Sequence, residues 1–172
     1  QTCALPISAV AVAPHLAPGA IVTDAGSVKR PVLDGAAALP GGLRFVGGHP
    51  IAGTEDSGAA AADADLFRGA RCVLTPVETT DSAALAAVRS LWESVGMEVV
   101  EMSPDEHDAV LALTSHVPHV LAFALALAAG DSAALAGVDA LPFAGPSFRS
   151  ATRVAASSPE TWRDVLTANA AP

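Results

Sequence analysis

The chain has 172 residues, half of them apolar, so it can bury a substantial core in one good-sized domain or two small ones and is not a disordered protein. A formal charge of −9 with only nine Lys and Arg opposes an electrostatic hold on nucleic acid or an anionic membrane, so neither is expected as a partner. Two cysteines, Cys3 and Cys72, form no metal spacing and no disulfide framework, which places the expectation in a reducing cytoplasm.

The opening stretch QTCALPI reads neither as a signal peptide nor as the start of a domain. It resembles the translation of a sequencing-adapter oligonucleotide. On that resemblance, residues 1–7 are expected to be foreign to the gene, Cys3 with them, and coding sequence upstream to be missing.

Three short apolar runs end in polar turns and are expected to be buried strands: AIVTDAGS from Ala20, LRFVGGHP from Leu43 and RCVLTPVE from Arg71. After the third, apolar residues recur at helical spacing through Leu85, Val88, Leu91, Trp92 and Val95, with Thr80 as the expected cap and Gly96 as the stop. MEVVEMS then returns to a strand. A strand, helix, strand crossover of this length predicts parallel pairing and an α/β class.

The pattern changes at Ser103. Ser103, Pro104 and Glu106 form an N-cap, a first-turn proline and a capping-box acid ahead of an Ala-, Leu- and Val-rich segment reaching Ala129. Pro118 is expected to kink that helix. The longest apolar run, Val117 to Ala129, is too short to cross a bilayer. DSAALAGVDALP reads as a short helix or loop, and SPETWRDVLTANA as a capped helix starting at Ser158.

His49 falls where the second strand ends, at the carboxyl edge where α/β folds bind ligands, flanked by glycines that permit close approach and positive φ. A surface turn with an incidental histidine accounts for it equally well. Ser27 ends the neighbouring strand run, with a hydroxyl able to bond a ligand or an imidazole and Lys29 close by; an ordinary Asp-Gly turn is the plainer reading. His107, Asp108, His116 and His119 lie on one helical segment, the last two three residues apart and flanking Pro118. Lone helical histidines are usually structural. Arg149, Arg153 and Arg163 concentrate a third of the cations near the C-terminus, fitting a carboxylate or phosphate site or else salt bridges to local acids.

In order, DAGSVK, FVGGHPIAGTEDSG, LF, VLTP, HD, SHVPH, TRVA and WRD resemble the prephenate and arogenate dehydrogenase family of tyrosine biosynthesis, over most of residues 20–167. The resemblance implies the second half of a Rossmann-type parallel-sheet domain over residues 1–102, followed by the start of a helical substrate-binding and dimerisation domain over residues 103–172. It implies NAD- or NADP-linked oxidative decarboxylation of prephenate or arogenate by a cytoplasmic homodimer. His49 matches the catalytic histidine that takes the ring hydroxyl's proton, and Ser27 the serine that orients hydroxyl and histidine beside the cofactor. Arg153 matches the arginine that binds the substrate carboxylate; His119, and less closely His116, match the helical-domain histidine that closes on the substrate. Glu55 matches an acid at the pocket entrance, and Arg149 is an assisting cation. No metal is implied.

The family's glycine-rich G-x-G-x-x-G turn is not in this sequence, so most of the cofactor side is expected to lie outside it, and the fragment to be inactive alone. Rival readings are a metal-dependent phosphohydrolase using His49, His107 and Asp108, and a non-catalytic ligand-binding or dimerisation remnant. A dehydrogenase of 3-hydroxy acids would need a helical-domain Lys and Asn that do not occur here in suitable spacing.

Overall fold

The structure is a computed structural model and describes residues 11–53 and 61–170. Four strands lie side by side in sequence order: β1 (Ile21–Thr23), β2 (Arg44–Ile51), β3 (Arg71–Thr75) and β4 (Glu98–Glu101). Helix α1 (Arg30–Ala36) links β1 to a parallel β2, pairing Val22 with Phe45, and α2 (Ser82–Ser94) links β3 to a parallel β4, pairing Val73 with Val100. Between those parallel pairs, β2 and β3 run antiparallel, with His49 opposite Val73, so the sheet is mixed. A parallel neighbour needs a crossover to carry the chain back; α1 and α2 supply one, and among the described residues between β2 and β3 none is α-helical.

The core forms where α2 covers the sheet. Val46, Cys72, Leu74, Ala84, Val88 and Met97 are buried together, and Leu85, Phe67 and Trp92 pack against them, the last two edge to face. Leu91 and Val95 share the helical spacing but lie half exposed, so the apolar stripe is wider than the buried face. The cap of α2 is Asp81 rather than Thr80: its carboxylate accepts the Ala84 N–H at 2.7 Å, while the Thr80 hydroxyl accepts the Val77 N–H at 2.9 Å. Gly96, at φ +89°, ends the helix as expected.

At Ser103 the capping box closes in both directions, with Glu106 N–H to the Ser103 hydroxyl at 3.2 Å and Ser103 N–H to the Glu106 carboxylate at 2.8 Å. Helix α3 (Pro104–Leu111) runs through a π-helical turn (Ala112–His116) into α4 (Val117–Gly130). The π turn is the form the Pro118 irregularity takes. Proline lacks an N–H and its ring crowds the carbonyl four residues back, so the preceding turn widens.

The continuous helix Pro104–Gly130 is 27 residues long, and by length and composition alone it suffices to cross a membrane, which the shorter run from Val117 does not. One face of it, carrying His107, Asp108, Leu111 and His116, is buried against the rest of the molecule, whereas Leu113, Leu121 and Leu127 stand exposed. Helices α5 (Ser132–Ala136), α6 (Pro146–Thr152) and α7 (Pro159–Ala168) follow, the last capped by the Ser158 hydroxyl as the sequence predicts.

Candidate active site

The end of β2 is held in place by its neighbours. A Cβ at Gly48 would stand 2.9 Å from the Asp24 carbonyl oxygen, and one at Gly47 2.5 Å from the Thr75 hydroxyl, so both glycines serve close approach between strands. Neither has a positive φ; of the glycines around His49, Gly53 does, at +152°. The fully buried Lys29 joins the strands: its ammonium pairs with the Asp24 carboxylate and donates to the Gly48 carbonyl at 2.6 Å. Asp24 in turn accepts the backbone N–H groups of Gly26 and Gly48, each at 2.9 Å. Burial lowers the Lys29 pKa, against the pull of Asp24. The residue before His49 is thus fixed from three sides.

His49 meets the helical layer directly. Its Nδ1 lies 2.8 Å from Nε2 of His107, and Nδ1 of His107 lies 2.8 Å from the Asp108 carboxylate. Asp108 also accepts the backbone N–H groups of Lys29 at 2.8 Å and Arg30 at 2.9 Å, capping α1 from far along the chain. Burial first, and then the nearby His107 and Lys29, push the His49 pKa down to about 3, so its ring is neutral near pH 7. Burial opposes charge on Asp108 too, but the hydrogen bonds from His107, Arg30 and Lys29 outweigh it and hold the carboxyl below its usual range.

A cleft of about 860 Å³ opens between the sheet edge and the helices. Ser27 and His49 line one wall, and His119, Arg153 and Trp162 the other. His119 stacks on Trp162 with ring centres 3.5 Å apart, and its Nδ1–H donates to the Ser115 carbonyl at 2.9 Å. Burial lowers its pKa; the Ser115 bond opposes this and the Arg153 charge adds to it. Four of the residues singled out in the sequence therefore share one cleft.

The others stand apart from it. His116 is buried behind the cleft wall, edge-on to Trp162 with ring centres 5.9 Å apart, and its Nδ1 accepts from Asn169 Nδ2 at 3.1 Å. Burial lowers its pKa as well. Arg149 is exposed, with Nε 3.4 Å from the Ala144 carbonyl, and does not line the cleft. Glu55 lies outside the described residues. The WRD motif marks Trp162 in the sequence without assigning it a role, and nothing in the sequence marks Asn169, which also donates to the Asp108 carbonyl at 2.9 Å.

His49, His107 and Asp108 do converge, as the phosphohydrolase reading requires, but as a hydrogen-bonded chain whose facing atoms bond each other. Among the described residues no group of three or more His, Cys, Asp or Glu is arranged to hold a metal. For a dinucleotide, the described residues offer a neutral imidazole and a hydroxyl at the carboxyl edge of β1 and β2, which fits the nicotinamide end. The glycine fingerprint for the pyrophosphate is not in this sequence.

A half-Rossmann sheet joined to a helical layer, with a strand-end histidine in the cleft between them, defines the two-domain class of dinucleotide-linked proteins. Comparison narrows this. Residues 4–101 match the prephenate dehydrogenase nucleotide-binding domain and residues 103–172 the prephenate dehydrogenase dimerization domain. The chain belongs to the prephenate dehydrogenase family. It is 43% identical over 150 residues to prephenate dehydrogenase of Bacillus subtilis, covering 87% of this chain and 40% of that protein. To cyclohexadienyl dehydrogenase of Zymomonas mobilis it is 40% identical over 168 residues, covering 97% and 57%. Prephenate dehydrogenase from A. aeolicus, solved with hydroxyphenyl propionate and NAD+, superposes with a TM-score of 0.87 at 39% identity, covering 98% of this chain and 58% of that one. The chain thus spans about half the length of these relatives.

Proposed function

We propose that this chain forms the substrate side of an NAD- or NADP-linked dehydrogenase that oxidatively decarboxylates prephenate or arogenate. The observation that carries the reading is the neutral His49 ring at the cleft wall, facing Arg153, His119 and Trp162 across a space of about 860 Å³. The bound nicotinamide would supply the hydride acceptor. His49 takes the proton of the ring hydroxyl as that carbon loses its hydride, and Ser27 orients the hydroxyl. Loss of the ring carboxylate as CO2 sends its electron pair into the ring, and the resulting phenolate takes the proton back. Arg153 binds a carboxylate of the substrate, a task suited to a planar two-pronged donor. His119, buttressed by Trp162, closes the opposite wall.

The family's dimerization domain and the exposed Leu113, Leu121 and Leu127 support a homodimer formed through the helical layer. The same support favours a protein partner over a bilayer for the helix Pro104–Gly130, one face of which is already committed to the site. Action in the cytoplasm accords with the family's biosynthetic role. The test is the appearance of reduced cofactor when prephenate and arogenate are offered in parallel to a chain completed to its relatives' length. Turnover that disappears in His49→Asn supports the reading; full turnover in His49→Asn, or none with either substrate in a folded parent protein that binds the dinucleotide, rejects it.

A further inference from the structure

We propose that His107 and Asp108 are positioning residues: the chain Asp108–His107–His49 locks the His49 ring in the tautomer protonated at Nδ1 and leaves Nε2 as a bare proton acceptor. The catalytic use of that acceptor rests on the function proposed above, whereas the tautomer itself does not.

The direction of the hydrogen bonds follows from their fixed end. An ionised carboxylate only accepts, and Asp108 takes three N–H groups, from Lys29, Arg30 and Nδ1 of His107. A neutral imidazole carries one N–H, so His107, protonated at Nδ1, presents a lone pair at Nε2. That lone pair lies 2.8 Å from Nδ1 of His49, which must therefore donate. The proton of the neutral His49 ring is then committed to Nδ1.

Among the described residues, the ionisable groups around this chain include Lys29, tied to Asp24 beneath β2, His116 on the π turn, Arg30 beside Asp108 and the Cys72 thiol against the His49 backbone. His107 has no exposed surface, so water does not compete for either nitrogen. When His49 gains a proton at Nε2, its Nδ1–H keeps the same acceptor, and the Asp108 charge at the end of the chain offsets a small part of the penalty that burial places on the cation. The arrangement uses the logic by which a buried aspartate orients a catalytic histidine, lengthened by one ring. Because His107 and Asp108 sit on α3 and His49 on β2, the tautomer also depends on the two layers staying docked.

The test is the ring nitrogen spectrum of the 15N-histidine-labelled chain at pH 7, assigned with single histidine variants. His49 and His107 are both expected to be protonated at Nδ1 and bare at Nε2. In His107→Gln the amide oxygen can accept the same N–H, so His49 should keep its tautomer; in His107→Phe it should become a mixture. In Asp108→Asn the Oδ1 position serves both Lys29 N–H and His107 Nδ1 and the Oδ2 position serves Arg30 N–H, so either orientation of the amide sets a donor against a donor, and the His49 tautomer should become a mixture. A His49 protonated at Nε2 in the parent chain, a doubly protonated His107, or a His49 unchanged in both folded His107→Phe and folded Asp108→Asn would overturn the proposal. In a chain completed to its relatives' length, Asp108→Asn should lower kcat at least about tenfold with KM little changed. Tautomers as stated without turnover of either substrate would remove the proposed reaction and leave this inference standing.

Discussion

Acid should unfold this protein through His49. In the unfolded chain the ring binds its proton near its ordinary pKa of 6.5, whereas in the fold it does so only near 3, because burial and the neighbouring His107 and Lys29 disfavour the cation. Between those values the unfolded state holds a proton that the folded state lacks, so stability falls as pH falls, by about 1.4 kcal/mol per pH unit for this one group. From pH 6 to pH 4 the loss is roughly 2.5 kcal/mol, a large part of the 5–15 kcal/mol of an ordinary domain. His116 and His119, whose pKa values burial also lowers, act in the same direction, and Asp108 adds a loss below its usual carboxylate range. The His49 share is therefore read as a difference. Urea denaturation of the chain and of His49→Gln, followed by Trp92 and Trp162 fluorescence at pH 6, 5 and 4, should show a shallower decline in the variant, by roughly 2.5 kcal/mol over the range. Equal declines would mean that His49 takes up its proton in the fold as readily as in water, and that it is not held neutral by its surroundings.

Replacing the buried Lys29 with Met leaves the Asp24 carboxylate with only its two backbone donors; a loss of about 3 kcal/mol is expected by denaturant titration, and one under about 1 kcal/mol would show that the pair is not structural. Gly48→Ala drives a methyl against the Asp24 carbonyl, a backbone atom that cannot swing aside, and should cost about 2 kcal/mol; an unchanged melting curve would count against that contact. Arg153→Ala should raise KM for the substrate roughly thirtyfold, about 2 kcal/mol, while leaving dinucleotide affinity within about twofold; equal weakening of both ligands would remove the carboxylate role. Ser103→Ala opens the capping box ahead of α3 and should lower stability by about 1 kcal/mol, with Ser103→Asp retaining most of it.

What was legible in the sequence is what local chemistry decides. The Ser103 capping box, the Gly96 stop, the Ser158 cap and the α2 crossover each declare themselves within a few residues, because a cap or a turn is satisfied by its immediate neighbours. The choice between Thr80 and Asp81 as cap was not legible, since both side chains can accept and only the Val77 turn commits the threonine. The antiparallel run of β2 beside β3 was hidden too, because strand direction depends on the path between strands rather than on the strands' own residues.

The site divides along the same line. Strand-end position marked His49 and Ser27, and the ordered motifs added His119 and Arg153, which the fold brings to one cleft. The links that give His49 its chemistry span 58 residues to His107 and 79 from Lys29 to Asp108, distances over which no periodicity or spacing rule operates. The adjacent His107 and Asp108 were visible as a pair and open to a metal-binding reading, because a sequence shows which groups are present without showing which atoms they spend on one another. Here each of the three side chains turns its hydrogen-bonding atoms to the next, and the consequence is chemical. A histidine that would be half charged near pH 6.5 in water is kept neutral in the lining of a cleft that Arg153 also lines. For the proposed reaction, that neutral ring would accept a proton from the substrate hydroxyl while the Arg153 charge held a carboxylate of the same molecule.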